Sequence, residues 1–136
     1  MKVYHGTSKV NEKNIVGPPS NIDVTNGGGE MGQGFYVGEN LSLAIAWAKG
    51  KHKDPSVLEF DIVNSKYAQL NLKQLSHRQI LNDWKQIKAL NQRNSFKYNF
   101  DVVFGPLATN PYAVQYKFES VPAGVLLNQS KIDRIL

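Results

Sequence analysis

Residues 30 to 48 constrain the fold more than any other stretch: Glu-Met-Gly-Gln-Gly-Phe-Tyr-Val-Gly-Glu-Asn-Leu-Ser-Leu-Ala-Ile-Ala-Trp-Ala. Gly32 and Gly34 open backbone conformations closed to other residues and let a neighbour come close to the chain. A short strand carrying Tyr36 follows. Asn40 then suits a helix N-cap, Leu41, Ala44, Ile45 and Ala48 recur at helical spacing, and Gly50 is placed to end the helix. A glycine loop, a strand-borne Tyr36 and a helix-borne Trp47 therefore arrive together, an arrangement suited to a flat slot for a planar ligand.

At 136 residues, the chain suffices for one core and not for two. The expectation is a single domain over residues 1–136. With 41% hydrophobic and 20% charged residues, disorder is excluded as a general description. The chain has no cysteine, so disulfides, thiolate metal sites and cysteine nucleophiles are ruled out. His5, His52 and His77 lack metal-ligand spacing, and no metal is expected. No apolar run approaches spanning length, and Met1–His5 has no signal-peptide core. The expectation is no membrane association and a cytoplasmic protein, or one delivered into a target cell without a classical signal. The net charge of +5 is scattered over residues such as Lys49, Lys51, Lys53, Lys85, Lys88, Arg93 and Lys97. That scatter suits a solvated surface, an anionic dinucleotide, or a nucleic-acid or acidic protein partner.

Lys2 to Tyr4 reads as a first strand ending at His5-Gly6-Thr7-Ser8. Val10 to Gly29, with Pro18-Pro19 and three consecutive glycines, reads as a long irregular connection of the kind that often binds. Leu58, Phe60 and Ile62 alternate with Glu59 and Asp61 in a half-buried strand, which Lys66 to Leu72 would extend. Ser76 and Gln79 have capping-box spacing before a helix from His77 to about Asn91, with Trp84 expected in the core. Asp101 to Phe104 is a strand stopped by Gly105-Pro106. Ala113 to Phe118 is another, with Ala113, Gln115 and Lys117 on one face. A short helix is expected after Pro122. The fold class is α+β, with five or more strands and two clear helices.

These residues in this order resemble a known family. His5-Gly6-Thr7 and Gly34-Phe35-Tyr36, with Trp47 in the following helix, are similar to the His and Tyr motifs of the diphtheria-toxin and poly(ADP-ribose) polymerase branch of ADP-ribosyltransferases. Glu30 to Tyr36, Trp84 with Asn91-Gln92-Arg93, Asp101 to Ala108 and Gln115 to Phe118 resemble the motifs of small bacterial proteins presumed to be ADP-ribosyltransferases. The resemblance covers nearly the whole chain. It implies split antiparallel sheets with flanking helices, clasping NAD as co-substrate. It also implies a mono-ADP-ribosyltransferase that modifies a protein or nucleic-acid acceptor and releases nicotinamide. A free-standing domain of this kind suggests a toxin, with a cognate antitoxin as partner, or an effector.

By resemblance, NAD would be held by His5, Gly6, Thr7, Gly34, Tyr36, Ser42 and Trp47. His5 would bond a ribose hydroxyl, the Gly6 backbone the carboxamide, and Tyr36 and Trp47 would enclose the nicotinamide ring. Catalysis would fall to His5, Tyr36 and Gln115. Gln115 stands where the polymerase branch has a catalytic glutamate, and an amide cannot act as a carboxylate base, which argues against chain elongation. Glu119, on the same strand face, and Glu30, in a mobile loop, are the further carboxylate candidates. Ala44 replaces a serine that holds the carboxamide in the polymerases, with Ser42 nearby. Two other readings use the same cleft: NAD hydrolysis with water as acceptor, and a non-catalytic module binding NAD, ADP-ribose or a partner.

Overall fold

The computed structural model describes residues 1–136. In order, the elements are β1 (Lys2–Ser8), α1 (Lys9–Val16), β2 (Gly28–Gly29), β3 (Gly32–Gln33), β4 (Phe35–Gly38), α2 (Leu41–Lys51), β5 (Pro55–Asp61), α3 (Asn64–Tyr67), β6 (Leu72–Gln74), α4 (His77–Ala89), β7 (Val102–Leu107), β8 (Asn110–Phe118), α5 (Val121–Gln129) and β9 (Lys131–Arg134). Seven strands form a mixed sheet in the order β6-β7-β8-β4-β1-β5-β9, and β2 and β3 form a separate two-stranded ribbon. Only β6 and β7 run parallel; the other neighbours are antiparallel.

Alternation assigns the two faces of the sheet. Val3, Phe35, Val37, Leu58, Phe60, Val102, Tyr116 and Phe118 point to the larger core, which Ile15 of α1 and Leu126 and Leu127 of α5 close. The opposite face carries a smaller cluster of Met31, Leu75, Ile80 and Val103 under α4. Burying these side chains is the main force holding the layers together, at about 25 cal/mol per Å² of apolar surface.

The sheet has a weak line. β1 pairs with β5 along its whole length, from Lys2↔Asp61 to Ser8↔Pro55. Its other edge meets β4 at a single position, Tyr4↔Gly38. Continued, that register would set Gly6 opposite Tyr36, but the strands part first. The sheet therefore consists of β6-β7-β8-β4 on one side of a seam and β1-β5-β9 on the other.

The helix caps follow the sequence. Ser76 Oγ accepts from Gln79 N while Gln79 Oε1 accepts from Ser76 N, completing the capping box of α4. Asn40 caps α2 by accepting from Leu43 N at 3.0 Å. Other expectations are corrected. Val10–Gly29 is not wholly irregular: Ser8 caps α1 by accepting from Asn11 N. Gly50 does not end α2, which runs to Lys51. Lys66 to Leu72 does not extend the sheet, because Asn64–Tyr67 coils into a helical turn and the strand begins at Leu72. Gly105 and Pro106 lie within β7, where a bulge between Pro106 and Leu107 accommodates a residue without an N–H. Trp84 is half-buried beneath the Lys88 ammonium, 5.0 Å from its ring, and is not part of the core.

Candidate functional site

Tyr36 leaves β4 on the face of the smaller cluster. Its hydroxyl donates to Gly32 O at 2.6 Å and accepts from Met31 N at 3.0 Å. Burial raises its pKa far above the usual phenol range, so the phenol stays protonated and can serve as donor and acceptor at once. One ring face is covered by the ribbon: a Cβ on Gly29 would lie 2.9 Å from Tyr36 Cζ, so only a glycine fits.

Gln115 lies on the same face of β8, opposite Gly38 of β4 and Gly105 of β7. Its amide nitrogen donates to Glu30 Oε1 at 2.8 Å and to Pro106 O at 3.3 Å. Glu30 Oε1 also accepts from Ala108 N at 2.9 Å. These bonds tie the Glu30 carboxylate to β8 and to the turn that precedes it. Met31, wholly buried, anchors the next residue, and its carbonyl accepts from Lys117 Nζ at 2.7 Å.

Lys117 and Glu119 form a second polar unit on this face. Lys117 is 0% exposed, and its ammonium is hydrogen-bonded to Glu119 and lies 5.1 Å from the Tyr98 ring centroid. Burial pulls the Lys117 pKa below the usual lysine range, and the Glu119 carboxylate works against that shift. Glu119 also accepts from the backbone N–H groups of Tyr98 at 3.0 Å and Asn99 at 2.7 Å. Its oxygens are committed to these partners, none of which belongs to the Gln115 cluster. Gly34 makes room for the lysine: a Cβ there would lie 2.3 Å from Lys117 Cγ.

His5 is the residue of the seam. Its Nδ1 lies 2.7 Å from Tyr36 O, and its ring stacks on Phe35 with centroids 4.1 Å apart. The imidazole thus bonds a carbonyl lying beyond the last β1–β4 pair. Because a carbonyl only accepts, Nδ1 carries the proton and Nε2 presents a lone pair. Burial pushes the His5 pKa down to about 4, against the opposing pull of the Tyr36 carbonyl, so the ring is neutral at pH 7.

This shift has a stability consequence. Between the unfolded value of 6.5 and about 4, the unfolded chain takes up a proton that the folded chain refuses. The His5 contribution is therefore complete above pH 6.5 and falls as pH drops toward 4. With partial exposure discounted, the loss is on the order of 2 kcal/mol. Urea unfolding at pH 7 and pH 4.5 measures it, and His5→Gln is expected to flatten this part of the slope; an unchanged slope would contradict the neutral assignment.

Across the seam, Gly6 is where α2 rests on β1. A Cβ on Gly6 would come within 2.7 Å of Ala44 O and 3.3 Å of Trp47 Cε3. Trp47 remains 52% exposed, with its indole edge-on to His52 at 5.9 Å. Tyr36 and Trp47 make no ring contact with each other. Thr7 is buried in β1 opposite Ser56, and Ser42 is exposed in the first turn of α2.

The structure therefore gathers Tyr36, Gln115 and Glu30 on one face. It places Gly6 and Trp47 across the parted strands, and His5 at the parting with its ring on the larger-core side, against Phe35. It does not gather Ser42, Thr7 or Glu119 with them. The sequence reading missed the direct Glu30–Gln115 bond, which joins residues 85 positions apart. It also missed the burial of Lys117, for which the opposite charge two positions along the same strand face was an available signal.

No helix is long and apolar enough to cross a membrane, and no group of three or more histidine and acidic side chains could hold a metal ion. No curated protein matches the chain. Residues 1–133 match the model of a family described as "Protein of unknown function (DUF3990)". The chain belongs to that family.

Proposed function

We propose that this protein is a mono-ADP-ribosyltransferase, which moves ADP-ribose from NAD to a protein or nucleic-acid acceptor and releases nicotinamide. The observation that carries the reading is the seam. β1 and β4 part after Tyr4↔Gly38, with His5 Nδ1 reaching across to Tyr36 O and Gly6, Trp47, Tyr36 and Gln115 on the strands and helix that flank the parting. Such a parting supports the split-sheet architecture of the transferases, with the motif residues of the resemblance distributed on both sides.

The chemistry fits the side chains. Nicotinamide in NAD is a planar cation, and aromatic faces hold it by stacking and cation–π attraction, worth about 1–2 kcal/mol when desolvated. Neutral His5, with Nε2 as acceptor, suits a ribose hydroxyl. The C1′–N bond breaks with its electron pair passing to the ring nitrogen, so nicotinamide leaves neutral and positive charge develops on the ribose. Gln115 suits a hydrogen bond to the ribose, and polar contacts that strengthen as this charge develops lower the barrier. The acceptor then forms the new bond to C1′ and loses its proton to its surroundings. A toxin with a neighbouring antitoxin is the biological role this reading implies.

Labelled NAD incubated with cell lysate, followed by separation of protein and RNA, tests the reading. Label is expected in one fraction, and Tyr36→Ala is expected to remove it. Trp47→Ala removes a half-exposed side chain, so it should lower Tm by several degrees without unfolding the protein at assay temperature, while lowering kcat/KM for NAD about tenfold. Nicotinamide release without label would make the protein an NAD hydrolase. Binding of NAD or ADP-ribose without release would make it a binding module, a reading favoured by the neutral amide of Gln115.

A further inference from the structure

Gln115 is an amide where the proposed chemistry needs one defined polarity. A free glutamine amide can present either NH₂ or C=O to a ligand, because rotation by half a turn exchanges them at little cost. Here the choice is fixed. The two nearest partners, the Glu30 carboxylate and the Pro106 carbonyl, are both acceptors. The NH₂ group must face them, so the amide oxygen points away. Gln115 is only 7% exposed, yet its oxygen accepts no hydrogen bond from the chain and is not among the fully buried unpartnered atoms.

We propose that Glu30 is a positioning residue that locks the Gln115 amide with its oxygen outward, making this neutral side chain an obligate acceptor toward a hydroxyl of the bound ribose. Glu30 is itself held: Oε1 takes the Ala108 N–H as well as the Gln115 amide, and buried Met31 fixes the adjoining backbone. The carboxylate also polarises the amide, concentrating negative charge on its oxygen. This assignment rests on the transferase reading and deepens it, since the ordering matters only if something docks on that oxygen.

The pair and the reaction can be read separately. In ¹⁵N spectra, the Gln115 side-chain amide signals should shift between wild type and Glu30→Ala, because the carboxylate they donate to is removed. In turnover of NAD, Glu30→Ala should lower kcat for nicotinamide release about 10- to 100-fold, with KM changed less than about threefold. The conservative variant Glu30→Gln supplies a rescue. Its amide oxygen can take the place of Glu30 Oε1, accepting from both Ala108 N and the Gln115 amide. It should keep kcat within about fivefold of wild type, while Gln115→Glu sets two carboxylates in contact and should not.

An unchanged kcat in Glu30→Ala overturns the proposal. So does a loss of kcat that merely tracks the loss of folded protein, or a Glu30→Gln variant as impaired as Glu30→Ala. Amide signals that respond to Glu30 in a wild type unable to release nicotinamide would overturn the transferase reading, and the positioning role with it, while leaving the pair as a structural contact.

Discussion

Glu119→Ala is expected to cost about 3–5 kcal/mol, because it leaves the Lys117 ammonium buried without its counter-charge. Few substitutions in a domain of this size should cost more. Lys117 is wholly buried, and apart from Glu119 its ammonium has only the Met31 carbonyl and the Tyr98 ring. The backbone N–H groups of Tyr98 and Asn99 also lose their acceptor. A urea titration should show the midpoint falling by about 2 M. Lys117→Met in the same background removes the stranded charge and should recover part of the loss. The pH dependence supplies a second check. A lysine held below 10.5 in the folded state sheds its proton there before the unfolded chain does. Stability therefore rises with pH through that window, and without Glu119 the rise should be steeper than in wild type. A Glu119→Ala variant within 1 kcal/mol of wild type would show that water reaches the lysine.

Gly34→Ala is expected to destabilise by about 3 kcal/mol through overpacking. Its Cβ would lie 2.3 Å from Lys117 Cγ, 2.6 Å from Cδ and 3.0 Å from the Phe118 carbonyl oxygen. The first two atoms belong to a stem whose ammonium is pinned by Met31 and Glu119, so it cannot swing aside freely. The cost should depend on that stem. In a Lys117→Ala background the same change should cost less than about 1.5 kcal/mol, and the double-mutant cycle measures the coupling. Equal costs in both backgrounds would place the clash with the backbone instead.

These effects show what could be read from the chain and what could not. The α4 start was legible because Ser76 and Gln79 form a local motif whose bonds close within one turn. β8 was legible by alternation, and Tyr36 and Trp47 were correctly assigned to a strand and a helix. α1 was hidden because a polar residue occupies its inner face. Glu12 is buried, with Ser56 Oγ donating to it at 2.8 Å and Arg134 Nε 3.2 Å away, so apolar periodicity had little to report. Gly50 misled because its surroundings are open, with nothing within 4 Å of a Cβ there. A glycine is needed to end a helix only when the chain must turn through a left-handed conformation, and α2 leaves through extended backbone at His52. For the candidate residues, the sequence supplied the elements that carry Tyr36, Trp47 and Gln115 but not which side chains meet. That Glu30 belongs with Gln115, and Glu119 with Lys117, depends on tertiary contacts that no local spacing encodes.

The seam also governs how this molecule can be divided. Following the chain, β1 lies on one side, β4 on the other, β5 back on the first, β6 to β8 on the second, and β9 on the first again. Neither half-sheet is a continuous piece of polypeptide, so no single cut yields one of them intact. The halves are interlaced like the strands of a braid: each return of the chain is a tether, so widening of the gap is limited by the connecting segments. A break in the polypeptide between α2 and β5 would remove a tether and leave both halves otherwise complete, so nicking there should loosen the molecule without dismantling either sheet half.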